Sequence, residues 1–550
     1  MSRPKDWFYL SMMILVAVLL RAPLVHTGLT IDDACSAYVV EAQSWADLVE
    51  RIKTIEMSPP LYFVVLRAVV GIFGLTTPVL AITSLIFSVA TVPLTYLLGC
   101  ASTADPNPDK DQRRSSKAGL CAAFFATTSL LSIIYSHEAR TYALASLLIT
   151  LALLLFVPFF DGRASRKRQF ALFTACSLIA YTHYTAIPYI GIMILTAIIY
   201  RKRKKSRSLL AVPPMVAGLA TIIPWYPILK YHGAVGTPWS DPTPLSQFPT
   251  VLASNLSAVL PLPVMPSYLF LTLFVPVILG LYIVIKPRDF ASKIRWLCHE
   301  PKLFTQTLLL FYSASVFGYI TPYIFGYVRY MYPVAVTAWV LLAVVLVKLA
   351  EGANQIKPIH SLSRQVKVGA VSLIALIILV LSAQTVATIA SQDRSGLRRL
   401  ARDIAGNHFA KSAFITSPDF VGIILVYYLK HECGVPAASL PTIIGFAYPE
   451  GGLLPPKHEG RAASWLDPQL ISKYEDHLKK IEQLGTFQVV MVRDTYSPTS
   501  KQMPTNEMTN KLETMLKAKL VPLGPTEIYA GYASTYLVTR YAFPSQEGKH

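Results

Sequence analysis

Trp7-Phe8-Tyr9-Leu10-Ser11-Met12-Met13-Ile14-Leu15-Val16-Ala17-Val18-Leu19-Leu20-Arg21-Ala22-Pro23-Leu24-Val25 is an apolar block long enough to cross a hydrocarbon core, which takes about 20 helical residues. Its short basic start (Arg3, Lys5) resembles a signal peptide. No small-residue cleavage site follows, so the block reads as a retained span. Blocks of the same kind run from Thr77 to Cys100, Ala139 to Phe160, Met331 to Leu349 and Val368 to Ala390. Of the 550 residues, 53% are hydrophobic and 15% charged, against about 25% charged in a soluble domain. The fold class these blocks predict is mainly α, a polytopic transmembrane helical bundle.

The net charge of +19 would fit a nucleic-acid partner if it formed one patch. Instead it is dispersed over short loops: Lys110 to Lys117, Arg163 to Arg168, Arg201 to Arg207, Lys286 to Lys302 and Lys357 to Lys367. The loops between have almost none. That is the positive-inside bias, and it assigns these loops to the cytoplasm and excludes nucleic acid as the expected partner. Parity then constrains the count. Between the first span and the loop at 101–117 lie two apolar stretches, yet only one crossing is allowed. Arg67 falls in the middle of the first, where contact with lipid is costly. Residues 60–76 are therefore expected to form a helix that lies at the outer interface or dips in. Spans follow at 78–100, 118–135, 139–160, 169–183, 185–200, 208–228, 266–286, 303–324, 331–349 and 367–390, giving about 11 crossings with a cytoplasmic N-terminus.

After Ala390 the composition changes. Strand-like runs (Ser412 to Thr416, Phe487 to Val492, Ser534 to Val538) alternate with helical patterns such as Glu507 to Leu520. The expected organisation is a transmembrane domain over 1–390, with an outer loop 26–77, and an extracytoplasmic α/β domain over 391–550. The six cysteines are scattered without a CxxC pair, so neither a disulfide framework nor a zinc site is indicated.

Polar residues gather near the outer ends of the spans: Asp32, Asp33, Glu56 and Tyr62; then Glu138, Arg140 and Tyr142; then His183 and Tyr184; then Trp225, Lys230 and His232; then Arg329 and Tyr330. Ionisable residues at a bilayer are functional candidates by default. A carboxylate can take a proton from an acceptor hydroxyl, and an arginine can neutralise a leaving phosphate with paired hydrogen bonds. This set of residue types suits transfer from a phosphate-linked donor.

At these residues the chain resembles a known group. Ile31-Asp32-Asp33-Ala34, Glu56-Met57-Ser58-Pro59-Pro60-Leu61-Tyr62, Glu138-Ala139-Arg140-Thr141-Tyr142, His183-Tyr184-Thr185 and Arg329-Tyr330 look like the ordered landmarks of GT-C glycosyltransferases. The nearest branch is that of protein O-mannosyltransferases and lipid A aminoarabinose transferases. The resemblance implies a multi-pass enzyme of the plasma or inner membrane with a polyprenyl-phosphate sugar donor. It implies inverting transfer to a protein, lipid or glycan acceptor, with Asp32 as base and Asp33 beside it in the catalytic pair. The donor site it implies comprises Glu56, Tyr62, Glu138, Arg140, Tyr142, His183, Tyr184, Arg329 and Tyr330. Two positions depart from the pattern. Asp33 stands where relatives usually have Glu, and Ser58 where many have a basic residue or His, which moves the expected phosphate contact to Arg140 or Arg329. A divalent cation, Mg or Mn, is a further expectation, with Asp33 and Glu56 as oxygen donors.

Plainer readings stand beside these. Asp32 is well placed to N-cap the next helix, the arginines to snorkel to the interface, His183 to close a turn, and the tyrosines to form an aromatic belt. A transporter or flippase would show the same basic loops, although no internal repeat is visible. A non-catalytic scaffold of envelope assembly is the third class.

Overall fold

A computed structural model describes residues 4–103, 108–202, 206–235, 300–320, 328–353, 364–417, 420–445, 470–483, 488–495, 505–530 and 535–544, with isolated positions between 246 and 259. Among these, seven stretches are long and apolar enough to cross a membrane: Lys5–His26, Thr77–Ser102, Tyr142–Asp161, Tyr184–Lys202, Ser208–Ala234, Arg329–Lys348 and Val368–Ala390. The chain is a membrane protein. Three further expected spans are helices of the same bundle, over Pro108–Thr128 with Leu130–Ile134, Arg166–Ala180 and Pro301–Ile320. The span expected at 266–286 lies outside the described residues.

The helices that position the site are α1 (Pro4–Arg21), α2 (Ile31–Val40), α3 (Trp45–Ile55), α4 (Leu61–Phe73), α5 (Thr77–Ser102), α6 (Pro108–Thr128), α7 (Leu130–Ile134) and α8 (Tyr142–Phe156). After them come α9 (Arg166–Ala180), α10 (Ile187–Ile199), α11 (Val212–Ala220), α12 (Tyr226–Val235), α13 (Pro301–Ile320), α14 (Tyr332–Ala353) and α15 (Arg364–Ala390). α5 lies along α6 and α8, and α14 packs on α6, α8 and α13. Small residues allow the closest approach. A Cβ added at Gly119 of α6 would stand 2.5 Å from Cys100 Sγ and 2.7 Å from the Tyr96 carbonyl of α5. Without a hydrophobic drive inside lipid, such close packing is what holds spans together.

α4 is too short to span, at about 1.5 Å rise per residue. Arg67 turns away from the lipid, bonding the carbonyls of Val40 (3.4 Å) and Ala42 and covering the Trp45 ring at 5.2 Å. α1 runs toward the acidic pair, whereas α5, α8, α10 and α14 each start at the end of the bundle that carries it and run away from it.

Beyond α15, helix α16 (Leu397–Ala405) leads into a mixed sheet of strands β1 (Ser412–Ser417), β2 (Ile443–Gly445), β3 (Gln488–Asp494), β4 (Val521–Pro522), β5 (Glu527–Ala530) and β6 (Thr535–Ala542). The order is β2-β1-β3-β6-β4, with β5 also on β6. β1 is parallel to β2 and β3, with Phe414 opposite Ile443 and Val490, and β6 is antiparallel to β3. Alternation along the strands separates two faces. Ala413, Ile415, Val489 and Met491 pack on α18 (Leu470–Gln483) and α19 (Thr505–Lys519). Phe414, Val490, Val492 and Val538 face the other way and share one core with α17 (Phe420–Tyr427), α2 and the membrane helices. The sheet is therefore seated on the loop that carries the acidic pair.

Candidate active site

The two aspartates do different things. Thr30 caps α2, and its hydroxyl accepts from the Asp33 amide at 3.3 Å. Asp33 Oδ2 in turn accepts from the Thr30 amide (2.9 Å) and hydroxyl (2.8 Å), completing a capping box. Its other oxygen accepts from the Ala139 amide at 2.7 Å, joining α2 to the turn before α8. The capping role weighed for Asp32 thus falls to Thr30 and Asp33, as the Thr30-Ile31-Asp32-Asp33 spacing permits. Asp32 forms an ion pair with Arg329 instead.

Three arginines meet the carboxylates at this end of the bundle. Arg140 Nη1 donates to both Glu56 oxygens at 2.6 Å and lies 3.3 Å from the Ser36 hydroxyl. Arg329 pairs with Asp32 while its guanidinium lies 6.0 Å from the Tyr142 ring and 5.6 Å from the Tyr330 ring. Tyr142 touches His183 (centroids 5.5 Å) and Tyr330 (5.9 Å). Arg394, from the segment after α15, donates to Asp33 at 3.2 Å and to Glu138 at 2.6 Å. Paired arginines at these distances are not snorkelling.

Asp32, Asp33, Glu56, Glu138, Arg140, Tyr142, His183, Arg329 and Tyr330 are thus brought together. His183 also closes a turn, with Nδ1 against the Thr185 hydroxyl at 2.6 Å. Two expected donor residues point to other partners. Tyr62 bonds Ser84 on α5 at 2.8 Å. Tyr184 bonds His232 and accepts from Trp225, both at 2.9 Å, beside the Lys53 carbonyl.

Arg394 was not among the sequence candidates. A signal for it exists: Arg394, Arg398, Arg399 and Arg402 follow the last span on the side where the charge rule expects few cations. This segment also latches the sheet domain to the loop before α2. Arg394 N–H donates to the Thr27 carbonyl (2.7 Å), Arg398 to the His26 carbonyl (2.8 Å), and Tyr428 Oη accepts from the Leu29 amide (2.7 Å). At the rim Glu41 is drawn down to about 2 by hydrogen bonding to His431 and Lys430, against the opposing effect of burial.

Glu138 is a perturbed carboxyl. Burial pushes it up to about 7, aided by Asp33 and opposed by Arg394. Its Oε2 is buried without a hydrogen-bond donor among the described residues. Burial and Arg394 together hold His137 well below its ordinary range. Among the described residues no three His, Cys, Asp or Glu side chains gather as a metal-binding group. Both oxygens of Asp33 and of Glu56 already accept hydrogen bonds, so a divalent cation there would have to share them with arginine or backbone donors and stand against the arginine charge. The residues do not fit such an ion as they stand.

No family model matches the sequence, and no curated protein does. Solved structures do. ArnT from Cupriavidus metallidurans in the apo state superposes with TM-score 0.56 at 12% identity, over 96% of this chain and 97% of that one. ArnT bound to undecaprenyl phosphate gives 0.50 at 12% identity, over 98% of each. An oligosaccharyltransferase from Archaeoglobus fulgidus, crystallised with Zn and sulfate, gives 0.49 at 13% identity over 97% of this chain and 73% of that one.

Proposed function

We propose that this chain, which has the GT-C fold, is a membrane glycosyltransferase that moves a sugar from a polyprenyl-phosphate donor to a hydroxyl acceptor. One observation carries the reading. Among the four arginine-paired carboxylates, Asp32 alone is open, its side chain 32% exposed against 1% for Asp33, 2% for Glu56 and 9% for Glu138. Its partner Arg329 is 22% exposed, so a carboxylate and a cation are presented together at an aromatic-lined opening.

In this reading the donor phosphate draws Arg329 to itself and leaves the Asp32 carboxylate to receive a proton. The acceptor oxygen forms a bond to the anomeric carbon as the bond from that carbon to the phosphate oxygen breaks. The acceptor proton passes to Asp32 and the electron pair leaves with polyprenyl phosphate, whose growing negative charge Arg329 offsets. A single displacement inverts the anomeric centre. Asp33, Glu56 and Glu138 hold the frame through Arg394 and Arg140. No step needs a divalent cation, and the cationic work falls to arginine. The basic loops place the opposite end in the cytoplasm, so the reaction faces outward, where protein, lipid or glycan acceptors lie.

The test is Asp32→Asn in nanodiscs with a polyprenyl-phosphate sugar. The variant inserts and folds as the parent does and loses about 10²–10⁴-fold in turnover, the usual cost of removing a general base. Parental turnover in folded Asp32→Asn protein would remove the assignment.

A further inference from the structure

Arg21 lies inside the bundle and is completely buried. All five of its bonds are to neutral groups. Nε donates to the Ser88 hydroxyl at 3.2 Å, Nη1 to the carbonyls of Ala17 (3.0 Å) and Thr127 (3.1 Å), and Nη2 to the Ala126 carbonyl (3.0 Å) and Ser132 hydroxyl (2.8 Å). A buried cation without a carboxylate beside it is costly in a membrane and calls for a reason.

The reason lies in the helix it touches. At Ser129 the backbone leaves the helical region (φ −58°, ψ 125°), so α6 stops and α7 starts afresh. The carbonyls at the end of α6 lose their intrahelical donors, an expensive state away from water. Side chains replace the lost amides. Arg21 takes Ala126 and Thr127, and Ser382 of α15 donates to Thr128 at 3.3 Å. The broken helix leads straight into the turn with His137, Glu138, Ala139 and Arg140. The same node reaches the other arginine. Tyr332 Oη donates at 2.9 Å to Ser88, which also accepts from Arg21. Tyr332 opens α14 directly after the Val328–Met331 turn that carries Arg329, and its ring stacks on Tyr135 at 6.3 Å.

We propose that Arg21 is a positioning residue. By capping the break in α6 and anchoring Ser88, Ser132 and Tyr332, it sets the depth of the Arg140 turn and the Arg329 turn relative to Asp32. This rests on the site proposed above.

The experiment compares Arg21→Lys, Arg21→Met and Ser132→Ala with the parent in nanodiscs, with Asp32→Asn in parallel. Lysine keeps the charge but lacks the fork that joins α6 to α7. Arg21→Lys is expected to insert and to hold its KM for the donor while kcat falls about 10–100-fold, the scale of a misplaced reacting group. Ser132→Ala removes one acceptor and loses kcat about fivefold, equivalent to one net hydrogen bond. Hydrogen exchange should quicken in peptides covering 130–141 and 328–332 and stay at the parental rate in strand 412–417. Parental kcat and exchange in Arg21→Lys, or a uniform rise in exchange across the bundle, would overturn the inference. If Arg21→Met does not accumulate, the other two variants carry the same test. Should Asp32→Asn keep parental turnover, the site reading falls, while the exchange pattern still judges Arg21. An inactive Asp32→Asn beside a fully active Arg21→Lys sinks the positioning role alone.

Discussion

Replacing Arg394 with Met removes the one cation that serves two buried carboxylates. The side chain is 6% exposed, 3.2 Å from Asp33 and 2.6 Å from Glu138. The losses are unequal. Asp33 keeps its bonds from the Thr30 amide and hydroxyl and from the Ala139 amide, so it remains well solvated by the protein. Glu138 keeps no donor among the described residues, since its Oε2 already has none there. Breaking a buried pair costs about 3–5 kcal/mol when the orphaned group stays charged. Glu138 has another course, because burial has already raised it from 4.5 to about 7. A raised carboxyl contributes stability that is complete below its unfolded value and is lost as pH rises through the folded one. Arg394 lowers Glu138, so its removal raises that carboxyl further and steepens the loss. Arg394→Met should therefore cost about 1–3 kcal/mol near pH 6, where Glu138 is neutral and mainly Asp33 is deprived. Near pH 8.5 the cost should approach about 3–5 kcal/mol. Thermal unfolding in detergent at the two pH values measures this, and adding Glu138→Gln to Arg394→Met should flatten the difference. Equal penalties at both pH values, or none at the higher, would refute the shared-cation argument.

Arg329→Ala should weaken binding of the polyprenyl-phosphate donor roughly tenfold to hundredfold, the worth of one charge-assisted contact. Unchanged affinity by titration in nanodiscs would move the phosphate to another cation. EDTA should leave turnover at its starting value, because the carboxylates are already engaged by arginine and backbone donors; activity lost to EDTA and restored by Mg or Mn would show that the ion pairs open for metal. In an otherwise cysteine-free variant, Gln43→Cys should react with an impermeant maleimide from outside and Lys167→Cys should not, and the reverse pattern would invert the topology.

The bundle was legible because hydropathy and loop charge are summed over many residues. Thr77–Ser102 lies within two residues of the expected span, and Arg67 sits where a lipid-avoiding helix requires it. Strands β1, β3 and β6 were legible for a similar reason, as short β-branched runs between helical patterns. The site was legible as a set of residue types but not as a set of pairs. Arg394 meets Asp33 across 361 positions, and no local pattern states which cation faces which acid. The partners of Tyr62 and Tyr184 were hidden for the same reason, since Ser84 and His232 reach their hydroxyls from other helices. The break at Ser129 was hidden because the partners that make it tolerable, Arg21 and Ser382, lie far away in sequence.

The acidic pair shows most clearly why adjacency in sequence misleads. Successive residues on a helix point about 100° apart and do not face each other. Asp32 and Asp33 both lie in the first turn of α2, so they cannot close together on one small cation without unwinding it. The helix instead sends Asp33 inward to the cap, the Ala139 amide and Arg394, and leaves Asp32 at the opening with Arg329. The inner aspartate is what fixes the outer one, because it locks the first turn of α2 to the turn before α8 from which Arg140 reaches the Asp32 carbonyl at 3.4 Å. Asp33→Asn and Asp32→Asn therefore damage the protein by different routes. The first loosens the frame and lowers stability and turnover together, whereas the second spares the frame and lowers turnover alone.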